Sequence, residues 1–165
     1  MINYLKKITK PTLLCMFLIL LTVGTLFGCS SKKSAAKNPS VKEISEKIEQ
    51  AIDISNMKTG DSAKLQKLYK IDSKDLEEFA IYAPTSNIKA DELLILKVKD
   101  ANKLNEIKDK ISKRVENQGT SFKDYLPNEY ALIEKHVLKV NGNYIILAIS
   151  KDSEKIEKIF DESFK

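Results

Sequence analysis

Apolar residues that recur every three or four positions predict three amphipathic helices in the chain after Ser40. Ser40 opens a capping box for the first helix; the second follows Asp100 and is predicted to end at Gly119. Shorter helices are predicted after Asp61 and from Pro127 onward. The inward-facing positions of the three longer helices are Val41, Ile44, Ile48 and Ile52; Leu104, Ile107, Ile111 and Val115; and Ile156, Ile159, Phe160 and Phe164.

Short apolar runs bounded by turn residues predict four β-strands, at residues 79–83, 93–98, 136–140 and 143–149. Asn141-Gly142 between the last two runs is typical of a two-residue type I′ hairpin, in which both central residues have positive φ. That turn pairs Val140 with Asn143. The predicted core face of this hairpin consists of Leu138, Val140, Ile145, Leu147 and Ile149.

Residues 94–107 and 145–159 share one plan, an apolar strand followed by a polar break and a helix. Their offset of about fifty residues suggests two β-β-α units. The predicted fold class is therefore α+β, with a four-stranded, mostly antiparallel sheet and a helical N-terminal segment.

The beginning of the chain has the pattern of an export signal. Three lysines and no acidic residue precede an apolar run, which ends in Leu26-Phe27-Gly28-Cys29. This stretch resembles the bacterial lipoprotein signal, and the resemblance implies that Cys29 receives a diacylglyceryl thioether and becomes the first residue of the mature chain. The alternative is an uncleaved transmembrane helix, because residues 11–27 are only slightly shorter than a membrane span.

The signal divides the chain into a signal peptide at residues 1–28, a flexible tether at 29–39 and a single folded domain at 40–165. Lipid on Cys29 would hold that domain at the outer face of the cytoplasmic membrane, because two acyl chains give stable anchoring. Cys15 would leave with the signal peptide, so the mature domain is expected to have neither a disulfide nor a free thiol.

Charge argues against nucleic acid as a partner. Six of the 28 basic residues precede Val41, which leaves 22 basic against 23 acidic residues in the rest of the chain. A domain with one arginine, no tryptophan and no net positive charge lacks the electrostatic character of a nucleic-acid-binding protein.

Catalytic and metal-binding residues are scarce. His136 is the only histidine, so a His-based metal site has no second imidazole, and a Ser-His-Asp triad would have to use His136 as its base. Strand periodicity instead places it at the end of the sheet. No acid cluster has the spacing of a calcium loop, and no glycine-rich phosphate loop is present. The sequence thus predicts no cofactor, no metal and no catalytic residue.

Candidate partner-binding residues lie near the end of the first predicted strand and in the long loop before the last hairpin. They are Tyr82, Pro84, Asn87, Tyr125, Pro127 and Tyr130. Tyrosine offers a large, stiff contact area with a polar tip, and binding residues collect on loops. The hypothesis is one exposed aromatic rim; the alternative is that these residues only pin the loop to the sheet.

Four stretches resemble a family of small lipoproteins from Firmicutes, chiefly clostridia, whose function is unassigned. They are Leu68-Tyr69-Lys70-Ile71-Asp72, Phe122-Lys123-Asp124-Tyr125-Leu126-Pro127, Tyr130-Ala131-Leu132-Ile133 and Gly142-Asn143-Tyr144. The resemblance implies membrane anchoring and a common fold, and it carries no catalytic residues. The sequence therefore favours an anchored binding or interaction module whose ligand and oligomeric state are unknown, with an envelope protein as the candidate partner; the alternative is a small cell-envelope hydrolase.

Overall fold

A five-stranded antiparallel sheet organises the folded domain, which a computed structural model describes over residues 37–165. The leader and Cys29 lie outside the described residues. The helices are α1 (Val41–Ala51), α2 (Ser62–Tyr69), α3 (Leu104–Phe122), α4 (Pro127–Glu134) and α5 (Ser153–Glu162). The strands are β1 (Met57–Thr59), β2 (Leu76–Pro84), β3 (Glu92–Val98), β4 (Val137–Asn141) and β5 (Tyr144–Ile149).

The strand order is β1-β2-β3-β5-β4, which puts β3 at the centre and β5 beside it. Every residue of these two strands is buried. A strand that is covered on both faces cannot alternate apolar and polar residues. The continuous apolar runs at these two positions in the sequence follow from this central placement.

Helices cover both faces of the sheet and create two separate cores. Leu94 and Leu96 point to the first face, where they pack with α2, α3 and α4. Leu93 and Ile95 point to the second face, where they pack with α1 and α5. The first and last helices also touch each other, since the Lys155 ammonium donates a hydrogen bond to the Ala51 carbonyl at 2.7 Å.

Several helix starts lie where the sequence predicts them. The Ser40 hydroxyl accepts a hydrogen bond from the Glu43 amide at 3.0 Å, and the Asp61 carboxylate accepts one from the Lys64 amide at 2.9 Å. Pro127 is the first residue of α4. A proline is favoured there because its missing N–H would have no partner inside the helix.

The α+β class and the antiparallel sheet are confirmed, but the number of strands is not, since the sheet has five strands rather than four. The additional strand is β1, which pairs with the end of β2 through Met57 and Pro84. Three residues are too few to show a period of two, so the apolar pattern gives no signal for this edge strand.

Helix α3 continues past Gly119, where the sequence predicts its end, and stops at Phe122. Gly119 is buried within the helix, and a β-carbon built there would lie 3.6 Å from Tyr130 Cε2 and 3.7 Å from Ile133 Cγ2. The glycine therefore lies at the contact between α3 and α4 rather than at a helix end. Phe122, predicted to lie in a loop, instead packs in the core of the first face.

The sequence predicts the two faces of the last hairpin correctly but its turn wrongly. Asn141 pairs with Tyr144, and Gly142 and Asn143 form the two-residue loop. Only Gly142 has a positive φ, +57°, which fits a type II′ turn rather than type I′. The register differs from the prediction by two residues. A shift of two keeps every side chain on its face, so Leu138 still faces the first core, although Val140 is 39% exposed.

The two predicted β-β-α segments occur in the chain as β2-β3-α3 and β4-β5-α5. Their helices pack on opposite faces of the sheet. The interpretation of these segments as two copies of one unit stays a prediction.

The chain enters the domain through a contact with Tyr144. Its hydroxyl lies 2.6 Å from the Pro39 carbonyl oxygen and 2.6 Å from Asn38 Oδ1, and Pro39 is buried. Two residues that the sequence assigns to the tether are therefore attached to the folded domain, ahead of the predicted start at Ser40.

Candidate functional site

The six predicted partner-binding residues do not form one continuous rim. Tyr125 follows α3 and is 84% exposed, and Pro127 is exposed beside it. Asn87 is exposed in the loop between β2 and β3, and Pro84 is half-buried where β2 ends. Tyr130 is also half-buried, because it packs against the first core from α4.

The prediction that Tyr82 belongs to an exposed aromatic rim is wrong. Tyr82 is only 6% exposed and belongs to the core of the second face. Its hydroxyl donates a hydrogen bond to the Glu49 carboxylate of α1. Burial, and then this hydrogen bond, raise the pKa of Tyr82. The strand alternation that sends Ile81 to the first face sends Tyr82 to the second, whereas Tyr130 packs against the first face.

Glu129 joins the two loops that carry the exposed residues. Its carboxylate accepts hydrogen bonds from the Lys89 ammonium and from the Ala90 backbone amide, both at 2.8 Å. The hydrogen bond and charge of Glu129 raise the pKa of Lys89. The β2–β3 loop is thereby fixed against the start of α4.

Ile88 is an exposed residue that the sequence does not single out. It is 61% exposed in the β2–β3 loop and lines a surface depression with Tyr125 and Pro127. We call Ile88, Tyr125 and Pro127 the rim. An isolated apolar residue in a polar loop has no periodic neighbours, so the hydrophobic pattern contains no signal for Ile88.

A second surface feature is a cavity of about 370 Å³ between α2, α3 and the β2–β3 loop. Its charged lining residues are all basic: Lys64 and Lys67 from α2, Lys89 from the loop and Arg114 from α3. We call this cavity the basic groove. The sequence does not reveal it, because the three segments that supply its cations, α2, the β2–β3 loop and α3, are far apart in the chain.

A buried acid fixes Arg114 at the groove. Arg114 Nη2 lies 2.9 Å from Glu92 Oε2, and Nε lies 3.4 Å from Oε1. Tyr69 donates its hydroxyl proton to the same carboxylate, which is completely shielded from solvent. Burial, and then the negative charge of Glu92, raise the pKa of Tyr69 well above its ordinary value of 10.0. Tyr69 and Glu92 together hold the guanidinium in one orientation.

Gln118 also lines the groove, one helical turn after Arg114, and is only 4% exposed. Its Nε2 donates to the Ala90 carbonyl at 3.3 Å. A carbonyl only accepts hydrogen bonds, so this contact fixes which end of the amide carries nitrogen. Gln118 Oε1 is buried and has no hydrogen-bond partner among residues 37–165. A buried acceptor without a donor is costly and needs an explanation.

His136 lies between α4 and β4, close to the position that the strand pattern predicts. Its Nδ1 lies 2.7 Å from the Ile133 carbonyl oxygen. Because a carbonyl only accepts, Nδ1 carries the proton in this contact. The hydrogen bond thus holds the imidazole ring against the turn that precedes β4. The alternative of a hydrolase that uses His136 as its base stays a prediction.

Within the described range 37–165, no group of three or more histidine, cysteine, aspartate or glutamate side chains is arranged to hold a metal ion. In the same range, no helix has the length and apolar character needed to cross a bilayer.

The described residues define an α+β domain in which one antiparallel sheet is enclosed by helices on both faces. The model of a protein family described as a domain of unknown function, DUF4358, matches residues 50–150, and the chain belongs to this family. A family of unassigned function agrees with the resemblance seen in the sequence. No curated protein and no solved structure matches the chain. The matched residues include all five strands, the rim and the basic groove.

Proposed function

We propose that this protein is an extracytoplasmic lipoprotein, anchored through Cys29 at the outer face of the cytoplasmic membrane, and that its domain binds an envelope protein through the rim. The observation that carries the proposal is the exposure of Ile88 and Tyr125, at 61% and 84%, beside one surface depression. Large apolar side chains that are exposed together mark interaction surfaces more often than isolated ones do.

The rim has the physical properties of a binding surface. Tyr125 buries a large ring at little conformational cost when a partner covers it, and its hydroxyl can stay hydrated. Glu129 fixes the loop of Ile88 through Lys89 and Ala90, so the loop is ordered before binding. A preorganised loop loses less entropy when it binds, which leaves more of the contact energy for affinity.

The anchor is supported by the leader and by the stretch that ends at Cys29. Two acyl chains hold a protein on a bilayer stably, whereas one chain gives marginal, reversible binding. Mass spectrometry of the mature N-terminus tests this part. We expect an acylated Cys29 in the natural protein and an unlipidated, uncleaved precursor for Cys29→Ala; an intact leader without acyl mass on the natural protein would contradict the anchor.

Crosslinking in membranes tests the rim. The variant Ile88→Ser/Tyr125→Ser is compared with Val140→Ser, which changes an exposed apolar residue of β4, 39% exposed, outside the rim. We expect the rim variant to lose a crosslinked protein that the natural chain and the control retain. Folding of all three proteins is verified by thermal unfolding. If the rim variant folds and keeps every crosslinked neighbour, the proposal that the rim binds an envelope protein is wrong.

A further inference from the structure

We propose that the basic groove is a binding site for a phosphate ester that carries free hydroxyl groups, of which glycerol phosphate is the simplest example. This site is separate from the rim and does not depend on a protein partner. Its volume of about 370 Å³ lies in the range of small-molecule sites.

Charge selects an anion. All four charged residues that line the groove are basic. Lys89 and Arg114 have acidic partners, Glu129 and Glu92, whereas neither Lys64 nor Lys67 forms an ion pair within residues 37–165. The two lysines are three positions apart on α2, so they lie on the same side of that helix. Lysine is a common point-charge ligand of phosphate.

Arg114 adds a donor of fixed direction. Two of its nitrogens contact Glu92, and the guanidinium has five N–H groups in total, so some remain free for a ligand. Glu92 holds the guanidinium and is itself held by Tyr69. The arginine therefore needs no reordering when an anion enters, and its position does not depend on that anion.

Gln118 selects the hydroxyl group. Its Oε1 accepts hydrogen bonds but lacks a donor among the described residues, and a fully ionised phosphate cannot supply one. A hydroxyl on the esterified carbon chain can, once a rotation of the Gln118 amide brings the buried Oε1 to the surface of the groove. Asn87, Asn117 and Ser121 also line the groove and offer further polar contacts to a polyol. Phosphate and hydroxyl in one small molecule thus match the cations and the unpaired acceptor together.

Calorimetric titration of the full-length lipidated protein, in nanodiscs of neutral phosphatidylcholine at pH 8, tests the charge requirement. The probe is glycerol 3-phosphate. We expect Lys64→Gln/Lys67→Gln to weaken binding by about tenfold or more, as expected for the loss of charge-assisted contacts. The control Lys108→Gln/Lys158→Gln removes the same charge from exposed positions outside the groove and should leave affinity within about twofold. No binding by the natural protein, or equal loss in both variants, overturns the proposal.

A comparison with propyl phosphate, which lacks the hydroxyls, tests the role of Gln118. The natural protein is expected to prefer glycerol 3-phosphate by about tenfold, because a buried acceptor discriminates strongly against a ligand that leaves it unpaired. In Gln118→Met this preference should disappear, because neither ester then finds an acceptor at that position. Equal affinity of the natural protein for both esters would overturn the assignment of the hydroxyl.

The source of the ligand is tested by replacing part of the phosphatidylcholine with phosphatidylglycerol, whose headgroup contains the same glycerol phosphate. If phosphatidylglycerol competes with glycerol 3-phosphate in the natural protein but not in Lys64→Gln/Lys67→Gln, the ligand is a membrane headgroup. Binding of glycerol 3-phosphate that the lipid does not affect supports a soluble ester. Ile88→Ser/Tyr125→Ser should bind as the natural protein does, so failure of the groove and failure of the rim can be told apart.

Discussion

Arg114 forms an ion pair with Glu92, with 2.9 Å between Nη2 and Oε2. Among residues 37–165, it is the only cation within hydrogen-bonding distance of that carboxylate. Glu92 is the first residue of the central strand β3, and Arg114 lies on α3. The pair therefore ties the helix that forms one wall of the groove to the middle of the sheet.

Removing the cation is expected to destabilise the fold strongly. Arg114→Met leaves the Glu92 carboxylate buried without its counter-charge, and such a loss costs about 3–5 kcal/mol in the free energy of unfolding. The control is Lys113→Met. Lys113 Nζ lies 2.9 Å from Glu116 Oε2 and both side chains are exposed, so this substitution should lower the free energy of unfolding by less than about 1 kcal/mol. Urea denaturation measures both values. Arg114→Met combined with Glu92→Gln should recover part of the loss, and additive effects would contradict the coupling.

The raised pKa of Tyr69 predicts a loss of stability in alkali. Above pH 10 the unfolded chain releases the Tyr69 proton, whereas the folded chain keeps it because burial and Glu92 raise its pKa. The unfolded state then binds fewer protons, so the free energy of unfolding falls as pH rises above that value. The stabilisation is fully present below pH 10.

The variant Tyr69→Phe should reduce the stability difference between pH 8 and pH 11, measured by urea denaturation at each pH. The decline will not vanish, since burial also raises the pKa of Tyr82 and Tyr144. At pH 8 the variant should be less stable by about 1–3 kcal/mol, because the hydrogen bond to a charged group is lost. Exposed Tyr125→Phe is the control, and a change in its pH dependence equal to that of Tyr69→Phe would contradict the role of burial.

The hairpin turn can be located by two single substitutions. Gly142→Val should cost roughly 1–2 kcal/mol, because a β-branched residue resists the φ of +57°. No atom beyond the two neighbouring residues of the chain lies within 4 Å of the added β-carbon, so the cost arises from the local backbone conformation. Asn141→Val should change stability by less than about 0.5 kcal/mol, since Asn141 pairs with Tyr144 in extended conformation. Equal losses in thermal unfolding would favour the type I′ turn instead.

Glu129 should control the order of the β2–β3 loop. Glu129→Ala removes both the ion pair with Lys89 and the acceptor of the Ala90 amide, and we expect a loss of about 1–3 kcal/mol. Glu129→Gln keeps a neutral acceptor for Ala90 and should lose less. Hydrogen exchange measures the local effect: the Ala90 amide should exchange fastest in the alanine variant. Unchanged protection of Ala90 would show that the loop is held by other contacts.

Most elements of the fold are local enough to be predicted from the sequence. Ser40, Asp61 and Pro127 start their helices through contacts within four residues, and the helix stripes follow a period that needs no tertiary information. Gly119 was misleading because its small size serves the packing of α4, a contact that no local pattern encodes. Strand β1 exists only because β2 extends far enough to pair with it.

The site was less predictable for the same physical reason. Tyr125 and Pro127 are exposed as the loop composition suggests, but Tyr82 is buried, since exposure in a sheet depends on what covers each face. The groove joins α2 to α3, which are far apart in sequence. Its distinguishing atom, Gln118 Oε1, is recognised only when every neighbouring donor is known.

The contact between the first and last helices has a consequence for biosynthesis. Lys155 donates a hydrogen bond to the Ala51 carbonyl, and α1 and α5 share the second core, so α1 has no neighbouring helix on that face until α5 has been made. A nascent chain therefore keeps the apolar side of α1 partly uncovered while synthesis continues. Loss of α5 would remove Ile156 and Phe160 from the second core and leave the apolar side of α1 incompletely covered, so this core cannot close before α5 has formed.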